Sequence, residues 1–313
     1  MRRVAAPLLA LAVLGGACAG QQGPVSAPSS PATDRSEPPA QQQPLAVAPQ
    51  SPSTDPFAPP DRTQAPWSQT PVRLLGIGEV ELGEAAGGVS WRLGTARGTI
   101  WAWRPAGYRA RDAGTCVYLH GYYTTVDQAV GDHRLAEQFA ASGRNALFIA
   151  AEAPAWNGEE GVWPDLEALL AETFRRTGLR PPPGPVVVVG HSGAFRPILS
   201  WLGHPRLEEV VLLDGLYRGE AQFKGWLQLN GTPRPRRLVL VSDETLPAAE
   251  ALVATVPGAV SLPEVPAPDR GLDGAARSAR LIHLKSQHSH MAMVEGGEVL
   301  PVLLGASRLA PLR

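Results

Sequence analysis

The sequence predicts an α/β domain: a mainly parallel sheet with helices on both faces, preceded by a segment that does not pack. Three observations predict it. Short apolar runs rich in Val, Ile and Leu recur from residue 115 onward, and each has the length of a strand. Stretches with apolar residues at helical spacing alternate with those runs, which is the order of a parallel sheet covered on both sides. One run, Val186–Val189, leads directly into Gly190-His191-Ser192-Gly193-Ala194.

The 313-residue chain carries 28 basic and 29 acidic residues, so its formal charge of −1 gives no electrostatic case for nucleic acid. Its amino terminus has the order of an export signal. Arg2 and Arg3 precede the apolar run Val4–Leu14, which is too short to span a bilayer, and small residues follow at 15–20. Two processing outcomes stay open. Ala17-Cys18-Ala19 fits cleavage after Ala19, whereas Gly16-Ala17-Cys18 resembles a bacterial lipobox in which Cys18 is lipidated, although Gly15 stands where that pattern has leucine. The lone cysteine followed by a proline-rich stretch favours lipidation. The expected organisation is a signal peptide over 1–19, a Pro/Ser/Gln-rich tether over 20–71 and one domain over 72–313. Prolines recur too often in the tether for helix or strand, and its apolar content is too low to offset the entropy of ordering. The expected location is outside the cytoplasm, in the periplasm or cell envelope, with a lipid anchor to a bacterial membrane as the favoured outcome and simple secretion as the alternative.

Within the domain, 72–82 and 89–104 read as two or three antiparallel strands, with Trp91, Trp101 and Trp103 as packing residues. Thr115–His120 reads as a buried strand. Thr125-Val126-Asp127-Gln128 has capping-box spacing and opens a helix to about Ser142. Asn145–Ala151 is the next strand. Pro164 marks the first turn of a helix carrying Leu166, Leu169, Leu170 and Phe174 on one face. After Val186–Val189 and its helix come a strand at 208–213, a helix at 221–229, a strand at 236–241 and a helix at 246–256. A Pro/Ala/Gly-rich loop over 257–276, a last strand at 280–284 and a final helix toward Leu304 complete the chain. No long insertion follows Ser192, so little or no lid domain is expected.

Gly190-His191-Ser192-Gly193-Ala194 nearly matches the G-x-S-x-G elbow, a sharp strand-to-helix turn with serine at its apex. Small residues two before and two after the serine let strand and helix approach, and Ala194 in place of glycine keeps that clearance. With this motif the region from Val72 to Leu304 resembles the α/β-hydrolase superfamily. The resemblance implies that Ser192 is a nucleophile, followed in chain order by an acid and a histidine, each after a strand. His290 is favoured as the base and His288 is the alternative; a His-x-His metal site lacks further ligands at useful spacing, so no metal or organic cofactor is expected. The acid is Asp214 or Asp243, with a lean to Asp214 because it ends a fully apolar strand. By the same resemblance, His120-Gly121-Tyr122-Tyr123 supplies an oxyanion loop, with the N–H groups of Tyr122 and Gly193 as donors. His120 is expected to fix that loop, and Cys116 to be an inert buried residue.

The expected activity is an exported serine hydrolase acting on an ester through an acyl-enzyme. A peptidase or amidase acting on envelope peptides is the nearest alternative, and a non-catalytic domain of this fold used for binding is the alternative from another class. Pocket shape rather than the triad sets the choice between small-molecule and peptide substrates, and the sequence is silent on oligomeric state.

Overall fold

The computed structural model describes residues 75–313. The leader, Cys18 and the tether lie outside the described residues, as do positions 72–74 of the first expected strand. Among the described residues, no helix is long and apolar enough to cross a membrane.

Ten strands form one sheet. The amino-terminal part is an antiparallel meander of β1 (Val80–Ala85), β2 (Gly88–Thr95) and β3 (Gly98–Arg104). It joins the remainder through an antiparallel pairing of β3 with β5 (Ala146–Ala151). Every other pairing is parallel. These strands are β4 (Gly114–Leu119), β6 (Val186–His191), β7 (Leu207–Leu213), β8 (Arg237–Ser242), β9 (Val260–Leu262) and β10 (Leu281–Lys285). The spatial order is β1-β2-β3-β5-β4-β6-β7-β8-β10-β9.

The valine run shows why the strands are apolar throughout. Val186 and Val188 enter the core on one face of the sheet, while Val187 and Val189 enter the core on the other. A strand buried on both faces has no solvent side to make polar, and each buried valine contributes roughly 1.5–3 kcal/mol relative to exposure. The first face is covered by α3 (Leu166–Thr177), α4 (Phe195–Trp201), α5 (Glu220–Gln228) and α6 (Leu246–Thr255). The second is covered by α1 (Val126–Asp132), α2 (Leu135–Ala141), α7 (Gly274–Ser278), α8 (Ala292–Glu295) and α9 (Val299–Gly305). Trp101 and Trp103 are buried, and Trp91 packs partly buried against the first core.

Four local expectations need correction. The helix expected over 125–142 begins at the capping box of Thr125 and Gln128, but it breaks between α1 and α2. Gly131 weakens it, Arg134 turns left-handed at φ 48°, and the Gln138 side chain takes the His133 carbonyl at 2.5 Å. The final helix is likewise two, parted at Gly296-Gly297, where Gly297 has φ 82°. The loop at 257–276 contains the edge strand β9 and the start of α7, both too short to show a period. Pro164 lies outside α3, whose N-cap is Asp165, its carboxylate accepting from the Ala168 N–H at 2.7 Å.

Candidate active site

The sheet order itself marks a site. From β4 the chain moves outward to β5, then returns to the other side of β4 as β6. The loops leaving β4 and β6 therefore diverge and leave a crevice at the carboxyl ends of the strands, where open parallel sheets bind ligands. Ser192 follows β6 at this crevice, and Gly121 and Tyr122 follow β4. The two loops start in close contact before they part: a Cβ on Gly121 would stand 2.9 Å from the Ser192 Cβ.

Ser192 has φ 53°, a left-handed conformation that a non-glycine residue adopts only where its surroundings impose it. The turn between β6 and α4 is a single 3₁₀ turn over Ser192–Ala194. The small residues flanking the serine have the expected function. A Cβ on Gly190 would meet the end of Ile198 from α4 and stand 3.1 Å from the Ala194 Cβ. Tyr123 (φ 64°) and Asp214 (φ 45°) are left-handed too. Three of the five described non-glycine residues with positive φ therefore stand around one crevice, where backbone strain is often stored.

Asp214 follows β7 and is fully buried. Its Oδ1 accepts from the N–H of Asp243 (3.0 Å), the N–H of Thr245 (2.9 Å) and the Thr245 hydroxyl (2.8 Å). Its Oδ2 accepts from the Glu244 N–H (3.2 Å) and from His290 Nδ1 (2.7 Å). Burial opposes the charge, but the bond from His290 and those from Thr245 and Asp243 outweigh it and hold the carboxyl well below the usual carboxylate range. Asp243, the alternative acid, contributes a backbone N–H to this cradle while its residue is exposed. His288, the alternative base, has Nε2 3.7 Å from Glu298.

His290 receives support on a second side. Its ring lies 4.6 Å, centroid to centroid, from that of His191, and His191 Nε2 donates to the His290 carbonyl at 3.1 Å. His191 also faces His133 edge-on at 6.2 Å, and His133 Nδ1 shares a 2.8 Å hydrogen bond with the Tyr118 hydroxyl. Burial, with the neighbouring His290 and His133, holds His191 well below the ordinary imidazole range. Burial, with His120 adding to it, lowers His133 to about 4. Both inner rings are thus neutral near pH 7 and act as a fixed wall behind His290.

His120 fixes its loop, as expected. Its Nε2 accepts from the Ala153 N–H at 3.1 Å, so the proton resides on Nδ1, which donates to the Gly121 carbonyl at 2.7 Å. The Tyr123 N–H is taken by the Ala155 carbonyl at 2.7 Å. The Tyr122 ring lies against Gly193, and its hydroxyl accepts from Arg196 Nη1 at 3.3 Å. Arg196 also donates to the Asn157 carbonyl, joining the segment after β5 to the elbow helix. Cys116 is buried, and burial, with Glu209 adding to it, pushes its thiol up, which keeps it protonated and inert.

Two residues at the site escaped the sequence reading. Tyr217 donates to Glu244 at 2.9 Å and its oxygen meets the Ser192 hydroxyl. Burial, and then the bond to Glu244, push the Tyr217 phenol up, so it remains protonated. Glu244 Oε2 is 4.0 Å from His290 Nδ1. Only the position of Tyr217, three residues past Asp214, hinted at this. Among the described residues, the metal-like cluster is Asp214, Glu244 and His290. Both Asp214 oxygens already accept hydrogen bonds and His290 Nδ1 is one of their donors, so these atoms form a proton-holding array rather than an open ligand set.

No protein-family model matches the chain, and no curated protein matches it. Among solved structures it is similar to an S-formylglutathione hydrolase from Agrobacterium tumefaciens, at 10% identity and TM-score 0.46, over 74% of this chain and 100% of that one. It is similar to a feruloyl esterase module from Clostridium thermocellum at 10% identity and TM-score 0.46, over 72% and 86%. A third similar chain is EstE1, a carboxylesterase cloned from a metagenomic library, at 13% identity and TM-score 0.39, over 75% and 91%. These likenesses assign no residue and no substrate to this chain. The α/β-hydrolase fold stands on the sheet order, and the site on its own geometry.

Proposed function

We propose that the protein is an exported serine hydrolase that cleaves an ester through Ser192, His290 and Asp214. One observation carries the reading. The serine on the strained turn after β6 shares the carboxyl rim of the sheet with a histidine whose Nδ1 is held 2.7 Å from a buried carboxylate.

In this mechanism Ser192 Oγ attacks the ester carbonyl carbon while its proton passes to His290 Nε2. Asp214 holds the Nδ1–H, fixing the tautomer that leaves Nε2 free to accept, and stabilises the imidazolium that forms. The N–H groups of Tyr122 and Gly193 receive the negative charge on the carbonyl oxygen. The carbonyl then reforms, the ester C–O bond breaks, and His290 returns the proton to the departing alkoxide. Water attacks the acyl-enzyme as its proton passes to His290. Ser192 leaves the acid product and regains that proton, so the cycle consumes one water and no cofactor.

A fluorophosphonate probe tests the proposal. The wild type is expected to be labelled and to hydrolyse short p-nitrophenyl esters; Ser192→Ala is expected to lose both while unfolding at the same temperature. An unlabelled, folded wild type would instead favour a binding protein. Faster turnover of a p-nitroanilide than of the matched ester would favour an amidase. Export and acylation at Cys18 belong to the same proposal, and an acyl-modified cysteine at the mature terminus by mass spectrometry is the expected result.

A further inference from the structure

The opposite rim of the sheet carries a second cleft. Its volume is about 480 Å³, and it opens where the parallel strands begin rather than where they end. Pro185 precedes β6, Arg237 begins β8, and the segment leaving α9 closes one side. A strand of six residues spans about 20 Å, so this cleft is a separate place from the crevice at Ser192. Five of its described lining residues are arginines: Arg144, Arg234, Arg237, Arg277 and Arg308, with Asp112 the acidic residue of the lining.

The five differ in how far their donors are committed. Arg237 commits four of its five N–H groups. Its Nε and Nη2 donate to Glu209 at 3.1 and 2.7 Å, and it also donates to the carbonyls of Arg277 and Ala306. Arg234 is half committed, to Glu208 at 3.0 Å and to the Arg308 carbonyl. Arg144 donates from Nη1 to the Leu309 carbonyl at 3.1 Å, and Arg308 reaches the Pro235 carbonyl at 3.5 Å. The Nε atoms of both are buried and have no hydrogen-bond partner. Arg277 is exposed, on α7 at the cleft. Asp112 is engaged by Arg109 and by the Asn145 amide.

Cations crowded this way repel one another. Burial, followed by the charges of Arg277 and Arg237, lowers Arg144; burial, then Arg237, lowers Arg308. Glu208 and Glu209 answer Arg234 and Arg237, which leaves Arg144, Arg277 and Arg308 as charges in excess. Planar guanidinium forks with free N–H groups match the oxygens of a phosphate, and an anion of two or more charges would relieve the repulsion.

We propose that this cleft is a binding site for a phosphate-bearing polyanion, independent of the hydrolytic site. Such a group could be a free diphosphate or the phosphate of a lipid headgroup, and the two are separable by experiment. Calorimetry on the full chain at low salt, with pyrophosphate as the probe, is expected to give one site per chain. Arg277→Gln, an exposed substitution that leaves the fold intact, is expected to weaken it about tenfold. Arg234→Gln serves as a second variant should the first behave anomalously. Ser192→Ala should bind like the wild type, so failure of the hydrolase reading would leave this result standing. Vesicles of phosphatidylcholine with and without phosphatidic acid form the other arm. Sedimentation with the phosphatidic acid vesicles alone, weakened by Arg277→Gln, would assign the phosphate to a headgroup. Absence of binding to both probes at millimolar concentration, or equal binding by wild type, Arg277→Gln and Arg234→Gln, would overturn the proposal.

Discussion

Strand β7 carries a fully buried carboxylate near its start, Glu209, and another one residue past its end, Asp214. They stand about 17 Å apart along the strand and are held in opposite ways. Glu209 accepts from the guanidinium of Arg237 and from the Arg308 N–H at 2.7 Å, beside a register shift in the pairing of β7 with β6. Arginine cannot lose its charge, so this pair fixes structure and nothing else. Asp214 sits at φ 45° and accepts from Nδ1 of a histidine, on strained backbone. Beside a permanent cation a buried acid is a rivet; in the proposed mechanism, Asp214 beside His290 is part of a reaction.

The largest expected effect tests the reactive end. Asp214→Asn keeps the size of the side chain and an oxygen for the N–H groups of Asp243 and Thr245. Its amide N–H₂ would face His290 Nδ1, forcing that nitrogen to accept and placing the ring proton on Nε2, where it blocks transfer from Ser192. The rate constant kcat, counted per folded molecule, is expected to fall about a thousandfold or more. Asp243→Asn leaves its backbone donor in place and is expected to stay within severalfold of wild type. Equal losses in the two variants would break the comparison.

At the other end the expected loss is in stability. Glu209→Gln leaves the Arg237 charge buried without its counter-charge, at a cost of about 3–5 kcal/mol in urea unfolding, while kcat of the folded fraction is retained. Replacing both partners, as Glu209→Leu with Arg237→Met, is expected to cost less than either single change. A loss of turnover without a loss of stability in Glu209→Gln would sink the assignment of this end to structure.

The contrast also explains what the sequence made legible. Strands buried on both faces announce themselves through runs such as Val186–Val189, so the sheet and the turn at Ser192 could be read directly. His290 and Asp214 were each placed after a strand, but their meeting depends on β7, β8 and β10 lying side by side, which a linear pattern does not encode. The preference for Asp214 over Asp243 rested on the apolar strand before it. What could not be read is that Asp243, Glu244 and Thr245 would turn their N–H groups onto Asp214. Tyr217 and Glu244 meet across the ends of two strands and have no joint signature in spacing. The arginine cleft gathers residues from six separated segments, and a near-neutral net charge concealed it.

The wall behind His290 gives a third, smaller effect. His133 in the folded chain takes a proton only near pH 4, whereas an unfolded imidazole takes one near 6.5. Between those values the unfolded state binds more protons, so stability falls as pH falls. The contribution is complete above about pH 6.5 and is lost through pH 4, amounting to about 3 kcal/mol. His133→Asn keeps a polar partner for the Tyr118 hydroxyl and does not titrate. Its unfolding free energy is expected to decline less steeply over that window, and an unchanged slope would show that other groups carry the acid response.

The smallest effect concerns Tyr217, which touches Ser192 without any place in the proton path. Its hydroxyl donates to Glu244, leaving its oxygen to accept from the serine hydroxyl. Tyr217→Phe removes both bonds but keeps the ring packed against Phe195, whose centroid lies 6.1 Å away. Losing one such bond costs about 0.5–1.5 kcal/mol, so turnover is expected to fall roughly threefold to tenfold with fluorophosphonate labelling retained. If Tyr217 positions the serine, kcat falls while KM holds, because the missing contact acts before the carbonyl is attacked. If it only lines the acyl pocket, KM rises instead and kcat stays. That split separates a residue shaping the nucleophile from one shaping the substrate, on the rim where the sheet concentrates its strained backbone.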